Sequence, residues 1–390
     1  LEELDAMEES DRILNELEEN KEQLQDFSHL QEASESKPVI RLADNILQRA
    51  IIEGTTDIHF EPDEHSLKIR YRIDGMLREI QTLPAWVMAA LTSRLKIIAN
   101  LDIAEKRMPQ DGRIKWKQGQ EHMDMRVSTL PTRFGEKVVI RILKQTETLK
   151  DIAHIGMHTE MLKQMKHLLS RPQGMIFVTG PTGSGKSSTL YAGLRSIAEK
   201  EINITTIEDP IEYELDRANQ VQINEKAGLT FSSALRSILR QDPDVILVGE
   251  IRDHETASIA VQASQTGHLV LSTLHTNDAL SAITRLKDLK IAPFLIASSV
   301  LAVLAQRLVR KTCSECMQWV APSMSLKNMI PALPEKIPQA KGCDRCSQSG
   351  YRGRIAVFEL VTMNEEMKHL ISTNSSEKEI REQANYYSLL

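Results

Sequence analysis

Aromatic side chains make up only 4% of this 390-residue chain, with three Trp, six Tyr and seven Phe. Sequence-tolerant binding of single-stranded nucleic acid usually needs several rings for bases to stack on, so the scarcity argues against that class. No apolar run reaches the roughly 18 residues of a membrane span. The longest, Phe294 to Ala305, stops after twelve, contains Ser298 and Ser299, and reads as a buried helix. The N-terminus lacks both a basic n-region and an apolar h-region and begins with Leu1. It reads as a trimmed cytosolic chain without a secretory signal. Charge of one sign is not in large excess either, the net being −6.

Hydrophobic residues at 41% and charged residues at 26% are ordinary globular usage, which excludes collagenous, low-complexity and wholly disordered classes. The length predicts two or three domains. Charge is unevenly spread: residues 1 to 37 hold thirteen Asp or Glu against three Lys or Arg, and the remainder carries +4. Within this acidic stretch Met7 and Leu14 share one heptad column and Leu17 and Leu24 a neighbouring one, so it reads as a thinly striped helix. It is either a solvated helical linker or a segment that docks on a partner. The breaker-rich Glu32 to Pro38 closes it.

From Val39 to Ala50 apolar spacing is helical; then Leu67, Ile69, Tyr71 and Ile73 alternate with Lys68, Arg70 and Arg72, predicting a strand with one basic face. With the turn dipeptides Asp74-Gly75 and Asp111-Gly112, this gives a mixed α+β domain over 38–145, followed by a linker over 146–160. From Gly174 onward four apolar runs end in polar chemistry. Met175 to Val178 leads into Thr179-Gly180, Ile202 to Ile207 into Glu208-Asp209, Val245 to Val248 into Gly249-Glu250, and Leu269 to Leu271 into Ser272, Thr273 and His275. Such runs read as buried parallel strands, whose carboxyl ends converge on a ligand in open α/β sheets.

Gly180-Pro181-Thr182-Gly183-Ser184-Gly185-Lys186-Ser187 fits the phosphate-binding loop, with Ser188 opening the helix beyond it. The glycines let amide N–H groups turn inward, Lys186 supplies charge at the outer phosphates, and Ser187 offers a hydroxyl to Mg²⁺. Where a conventional enzyme of this type carries Asp, this chain has Glu250 after Val245-Ile-Leu-Val-Gly. Glu250 can activate the attacking water or orient the metal shell; the alternative is a structural salt bridge to Arg252. Glu208, Asp209 and Glu212 form a second acidic cluster, with Glu208 the candidate for the hydrolytic site. His275, beyond a strand tip, is a candidate contact to the γ-phosphate, whereas His268 reads equally well as a satisfied core residue. Cys313-x-x-Cys316 and Cys343-x-x-Cys346 use every cysteine of the chain and offer four soft ligands in the spacing of a structural Zn²⁺ site.

Together these motifs resemble those of the hexameric secretion ATPases that drive type II secretion and type IV pilus assembly. Thr205 to Glu212 (TTIEDPIE) looks like that family's aspartate box, Val245 to Asp253 (VILVGEIRD) like its atypical Walker B, and Thr266 to Asp278 (TGHLVLSTLHTND) like its histidine box. The resemblance implies a PAS-like domain followed by a RecA-like ATPase core over 161–312, with parallel-rich central sheet. A tetracysteine zinc subdomain over 313–350 and a helical region over 351–390 complete the division. It also implies a homo-hexamer with ATP held between domains, an inner-membrane platform as partner, and a cytoplasmic location peripheral to that membrane. Family arginines that approach the nucleotide fall on Arg126 and Arg141, which on their strands read alternatively as a solvated basic face. Arg236 and Arg240 match further family arginines and suit an interface. The zinc knuckles favour the assembly and secretion branches over pilus retraction. The expected function is therefore an ATP-hydrolysing assembly motor using ATP, Mg²⁺ and Zn²⁺; the alternative is a RecA-like nucleic-acid translocase, and a third reading is a nucleotide-binding scaffold without turnover.

Overall fold

Helix α1 (Lys37–Ile52) begins with Pro38 in its first turn and buries Val39, Leu42, Ala43, Ile46, Leu47 and Ala50, a stripe at helical spacing. It belongs to the first of two compact units, Leu1–Glu147 and Thr148–Leu390, of the computed structural model. The structure describes residues 12–18, 33–118, 121–144, 151–198, 201–330 and 333–388.

In the first unit, β1 (Asp57–Pro62), β2 (Ser66–Ile73), β3 (Met76–Pro84), α2 (Met88–Ile98), β4 (Gln110–Gln118), β5 (Glu121–Thr132) and β6 (Gly135–Lys144) follow in turn. The strands form one antiparallel sheet in the order β3-β2-β1-β6-β5-β4. Alternation does what the sequence suggests: Leu67, Ile69 and Tyr71 are buried with Ile58, Phe60, Val138 and Ile140 against the two helices. The Tyr71 hydroxyl donates to the Ile46 carbonyl at 2.6 Å, satisfying its polar tip inside that core. This is the PAS-like domain.

Residues 12–18 are helical, and Ile13 and Leu17, each 1% exposed, join this same core. The linker reading therefore fails for this stretch, because a stripe of only two buried side chains finds an apolar surface within its own unit. Met7 and Leu24 lie outside the described residues.

The second unit is a three-layer α/β/α sandwich. It contains α3 (Thr159–Leu169), β7 (Gly174–Thr179), α4 (Lys186–Ile197), β8 (Ile204–Glu208), β9 (Ala218–Gln222), α5 (Phe231–Ile238), β10 (Val245–Val248), α6 (His254–Gln265) and β11 (Leu269–Leu274). There follow α7 (Ser281–Asp288), α8 (Pro293–Ser299), β12 (Val300–Thr312), β13 (Gln318–Val320), α9 (Met324–Met329), β14 (Ile337–Gln339), β15 (Tyr351–Thr362), α10 (Glu365–Ser372), α11 (Glu377–Glu382) and β16 (Asn385–Ser388). The main sheet runs β16-β15-β12-β7-β11-β10-β8-β9. From β12 to β9 every pairing is parallel, while β15 and β16 extend the sheet antiparallel. Alternate side chains of β7 face opposite layers, Met175 and Phe177 into one core and Ile176 and Val178 into the other. Strands buried on both faces are therefore continuously apolar.

Two expectations need correction. Phe294 to Ala305 is not one buried helix: it is helical to Ser299 and turns into β12 at Val300. Val303 pairs with Phe177 and Leu304 with Val178, a non-local ladder that overrides local helical spacing. Residues 351–390 are likewise not simply helical, since β15 returns beside β12 as its antiparallel partner before α10 and α11 form. None of the described helices is long and apolar enough to cross a membrane.

Candidate functional site

The parallel strands β7, β11, β10 and β8 lie side by side, so their carboxyl ends bring together the segments beginning at Gly180, His275, Gly249 and Asp209. The phosphate loop leaves β7 at Gly180 (φ +145°) and enters α4 through Gly185 (φ +87°). A β-carbon on Gly180 would stand 2.3 Å from the Gln306 carbonyl oxygen, and one on Gly185 2.8 Å from Gln306 Nε2. Glycine is needed there for close approach as well as for dihedral freedom. Pro181, Thr182, Gly183, Ser187 and Ser188 are exposed, whereas Ser184 is buried and its hydroxyl has no partner.

Lys186 donates from Nζ to the carbonyls of Gly180 (2.9 Å) and Pro181 (3.1 Å). Burial holds its pKa below that of an ordinary lysine, and the negative charge of Glu250 acts the other way. The ammonium group thus rests on weak neutral acceptors beside the loop that a phosphate would fill. Such a group gains most when a fully charged acceptor arrives.

Glu250 is largely buried, with Oε2 accepting from Arg252 Nε at 2.6 Å and 3.6 Å from His275 Nε2. The salt bridge to Arg252 is present, but Arg252 is 71% exposed and easily hydrated. Gly249 allows the strand tip to approach its neighbour, its amide donating to the Ile207 carbonyl at 2.8 Å and its carbonyl accepting from Thr273 Oγ1 at 2.7 Å. His275 is 53% exposed at the end of β11. Thr276 beside it is tied to the start of the phosphate loop, its amide donating to Thr179 Oγ1 at 2.9 Å. Lys186, Glu250 and His275 therefore form one electrostatically connected group.

Glu208 is placed differently. Its carboxylate, 5% exposed, accepts from the Tyr191 hydroxyl, from Thr206 Oγ1 at 2.6 Å and from Gln220 Nε2 at 3.1 Å. Burial, and then the adjacent Glu208 charge, push the Tyr191 phenol far above its usual pKa, so it stays a donor. His268 donates from Nδ1 to the Ala263 carbonyl at 3.0 Å, closing the turn between α6 and β11 as a structural residue. Arg236 pairs with Glu255 at 2.5 Å, and Arg240 bonds the Arg236 carbonyl at 2.7 Å.

Arg126 and Arg141 belong to the first unit, where they face each other across β5 and β6; Arg113 on β4 is opposite Arg126, and Asp57 on β1 opposite Arg141. Directly opposed residues share a sheet face, so this is a row of arginines with one acidic member. Arg141 Nε donates to Asp57 Oδ1 at 2.9 Å. The rest of the basic face is locally matched, by Lys68 with Asp63, Lys137 with Glu61, and Arg70 with Glu61.

The four cysteine sulfurs lie within 4.8 Å of one another, with Cys313–Cys343 at 4.0 Å, Cys316–Cys346 at 3.8 Å and Cys343–Cys346 at 3.7 Å. Four sulfurs each about 2.3 Å from one tetrahedral zinc stand about 3.8 Å apart, so the donor set fits. The amides of Gly342, Cys343 and Gly350 point at the Cys316 and Cys346 sulfurs at 3.2–3.3 Å, a setting that favours thiolate. None of the four is joined in a disulfide.

Sequence reasoning placed Thr179 at a strand tip but missed Tyr191 and Gln306. The last is a polar residue closing an apolar run, and that interruption was the available signal.

The family model described as "Type II/IV secretion system protein" matches residues 32–388. "Type II secretion system protein E" of Pseudomonas aeruginosa is 50% identical over 366 residues, 93% of this chain and 73% of that protein. "Type IV pilus assembly ATPase PilB" of Thermus thermophilus is 46% identical over 342 residues, 86% of this chain and 38% of that one. Among solved structures, the pilus retraction motor PilT with bound ADP aligns with a TM-score of 0.57 at 26% identity, over 84% of this chain and 85% of that one. With a RecA-like sheet, a complete phosphate loop and these relatives, the chain belongs to the type II/IV secretion system protein family, as one of its ATPases.

Proposed function

We propose that the chain hydrolyses Mg·ATP at the tips of β7, β10 and β11 and spends the resulting movement on a membrane platform that adds pseudopilin or pilin subunits. The observation that carries this reading is the grouping of Lys186, Glu250 and His275 around a loop in which Gly180 and Gly185 leave no room for a side chain on the flank against Gln306.

Amides of Gly183, Ser184, Gly185 and Lys186 would cradle the phosphates, with Lys186 leaving its carbonyl acceptors for the outer phosphate oxygens. Ser187 would hold Mg²⁺, which would supply neutralisation of the phosphate charge. Glu250 takes the proton of the attacking water, and His275 contacts the γ-phosphoryl end. Glu208 enters as a brace: its carboxylate is already engaged by three donors, and it holds the β8 tip that supports Gly249. Arg126 and Arg141 would supply positive charge as the γ-phosphoryl leaves, Asp57 holding the Arg141 guanidinium through Nε. Cys313, Cys316, Cys343 and Cys346 would hold one Zn²⁺ as a structural fastening for the loops between β12 and β15.

The working unit is a homo-hexamer associated with the inner membrane from the cytoplasm through its partners. The local matching of Lys68, Arg70 and Lys137 by acidic neighbours reduces the basic surface open to a nucleic-acid backbone, which weighs against the translocase alternative. The test is phosphate release against protein concentration, for this chain and Glu250→Gln, with and without single-stranded DNA. Specific activity that rises with concentration, depends on Glu250 and ignores DNA supports the motor. DNA-stimulated turnover supports the translocase instead.

A further inference from the structure

Gln306, in β12 and only 3% exposed, donates from Nε2 to the Ser184 carbonyl at 2.7 Å and accepts at Oε1 from Thr189 Oγ1 at 2.7 Å. One buried side chain thus grips both the phosphate loop and the helix that follows it. We propose that Gln306 is a positioning residue for nucleotide binding, fixing the orientation of the Ser184–Gly185 peptide so that its N–H faces the phosphates. The inference rests on the reading of this loop as the ATP site.

In a planar trans peptide the C=O and N–H point to opposite sides. With the Ser184 carbonyl drawn toward Gln306, the Gly185 N–H of the same plane is turned away from β12, toward the open side of the loop. Gly185 has no β-carbon to resist rotation of that plane, and it sits at φ +87°. Something outside the loop must therefore hold it, and the buried amide does so from a rigid strand. The chemistry is specific to Gln. Ser184 O can only accept and Thr189 Oγ1 here donates, so the side chain must present a donor and an acceptor side by side at this reach. Leu presents neither, Asn is one methylene short, and an ionised Glu turns an acceptor toward the Ser184 carbonyl.

The Gln306 carbonyl adds to the fit by lying against Gly180, and Arg307, next along the strand, donates from Nη2 to the Asn277 carbonyl at 3.2 Å. The loop after β7 and the loop after β11 are therefore both held by adjacent residues of β12.

The experiment measures binding of a fluorescent ATP analogue with Mg²⁺, together with kcat and KM, for the wild-type chain, Gln306→Leu, Gln306→Glu and the binding-site control Lys186→Ala. Losing one buried hydrogen-bond pair should weaken nucleotide binding about tenfold in Gln306→Leu. Because the amide acts on a cradle used equally by substrate and transition state, KM should rise about tenfold while kcat stays within about threefold. Gln306→Glu carries the sharper test. Its buried carboxyl has a raised pKa and regains a donor when protonated, so its affinity relative to wild type should recover as the pH is lowered from about 8.5 to about 6, while that of Gln306→Leu should not. This comparison needs only the wild-type and Gln306→Glu chains and holds if the Leu variant is unstable. Wild-type-like affinity in Gln306→Leu, or a Gln306→Glu to wild-type ratio that ignores pH, overturns the proposal. A wild-type chain that binds no nucleotide overturns the ATP reading itself, and the inference with it.

Discussion

Replacing Tyr191 by Phe removes one hydroxyl from the centre of the ATPase unit and decides what Glu208 does. Tyr191 and Glu208 are both buried, at 1% and 5% exposure, and the phenol donates to the carboxylate. A hydrogen bond to a charged acceptor contributes about 1.5–3 kcal/mol, and Phe keeps the ring packing against Tyr213, so the loss falls on that bond and on the longer one the hydroxyl accepts from the Glu212 amide at 3.4 Å. For a unit of this size each kcal/mol moves the midpoint by about 2–4 °C, which gives a fall of roughly 3–12 °C. Glu208→Gln should be milder than Glu208→Ala, because an amide can turn its oxygen to Thr206 and Gln220 and its NH₂ to the phenol oxygen. The assay is thermal unfolding of the four proteins and the Tyr191→Phe/Glu208→Gln double variant, with kcat measured on each. The bracing role expects non-additive stability losses in the double variant and a kcat in Tyr191→Phe and Glu208→Gln within about threefold of wild type. An unchanged midpoint with a kcat about 100-fold lower in Glu208→Gln would refute it and put Glu208 back among the reacting groups.

Glu250→Gln should retain bound ATP while turnover falls by about 10²–10⁴, whereas Arg252→Ala, which removes an exposed partner, should keep turnover within about threefold; equal losses in both would make the salt bridge the functional unit. Elemental analysis should find one zinc per chain, and replacing Cys313 and Cys346 by Ser should abolish it and lower the temperature at which the β12–β15 segment becomes protease-sensitive. Burial depresses the Lys186 pKa below 10.5, and a bound phosphate raises it again, so binding takes up a proton in the alkaline range. ATP affinity should therefore fall as the pH is raised toward that value, and titration calorimetry in buffers of differing ionisation heat should register the uptake; a Lys186→Arg chain that binds ATP should lose this dependence.

What the sequence made legible was chemistry carried by short, local patterns. The phosphate loop spans eight residues and needs only an apolar strand before it and a helix after it, both of which local composition announces. Glu250 and His275 were visible because strands buried on two faces are uninterrupted apolar runs, and the residue that ends such a run marks a strand tip. The cysteines were visible because metal spacing is local within each pair. What stayed hidden depends on pairing at a distance. Nothing between Ser299 and Val300 marks the change from helix to strand; the ladder to β7, more than 120 residues upstream, imposes it. That change also decides Gln306. On a helix continued through Ala305 it would be one more polar residue on a turn, but on β12 it lies beside the phosphate loop and its two amide atoms find Ser184 and Thr189. The grip on the nucleotide cradle thus comes from the part of the chain whose secondary structure local pattern misassigns, because the same buried strand that hides its period also brings it to the site.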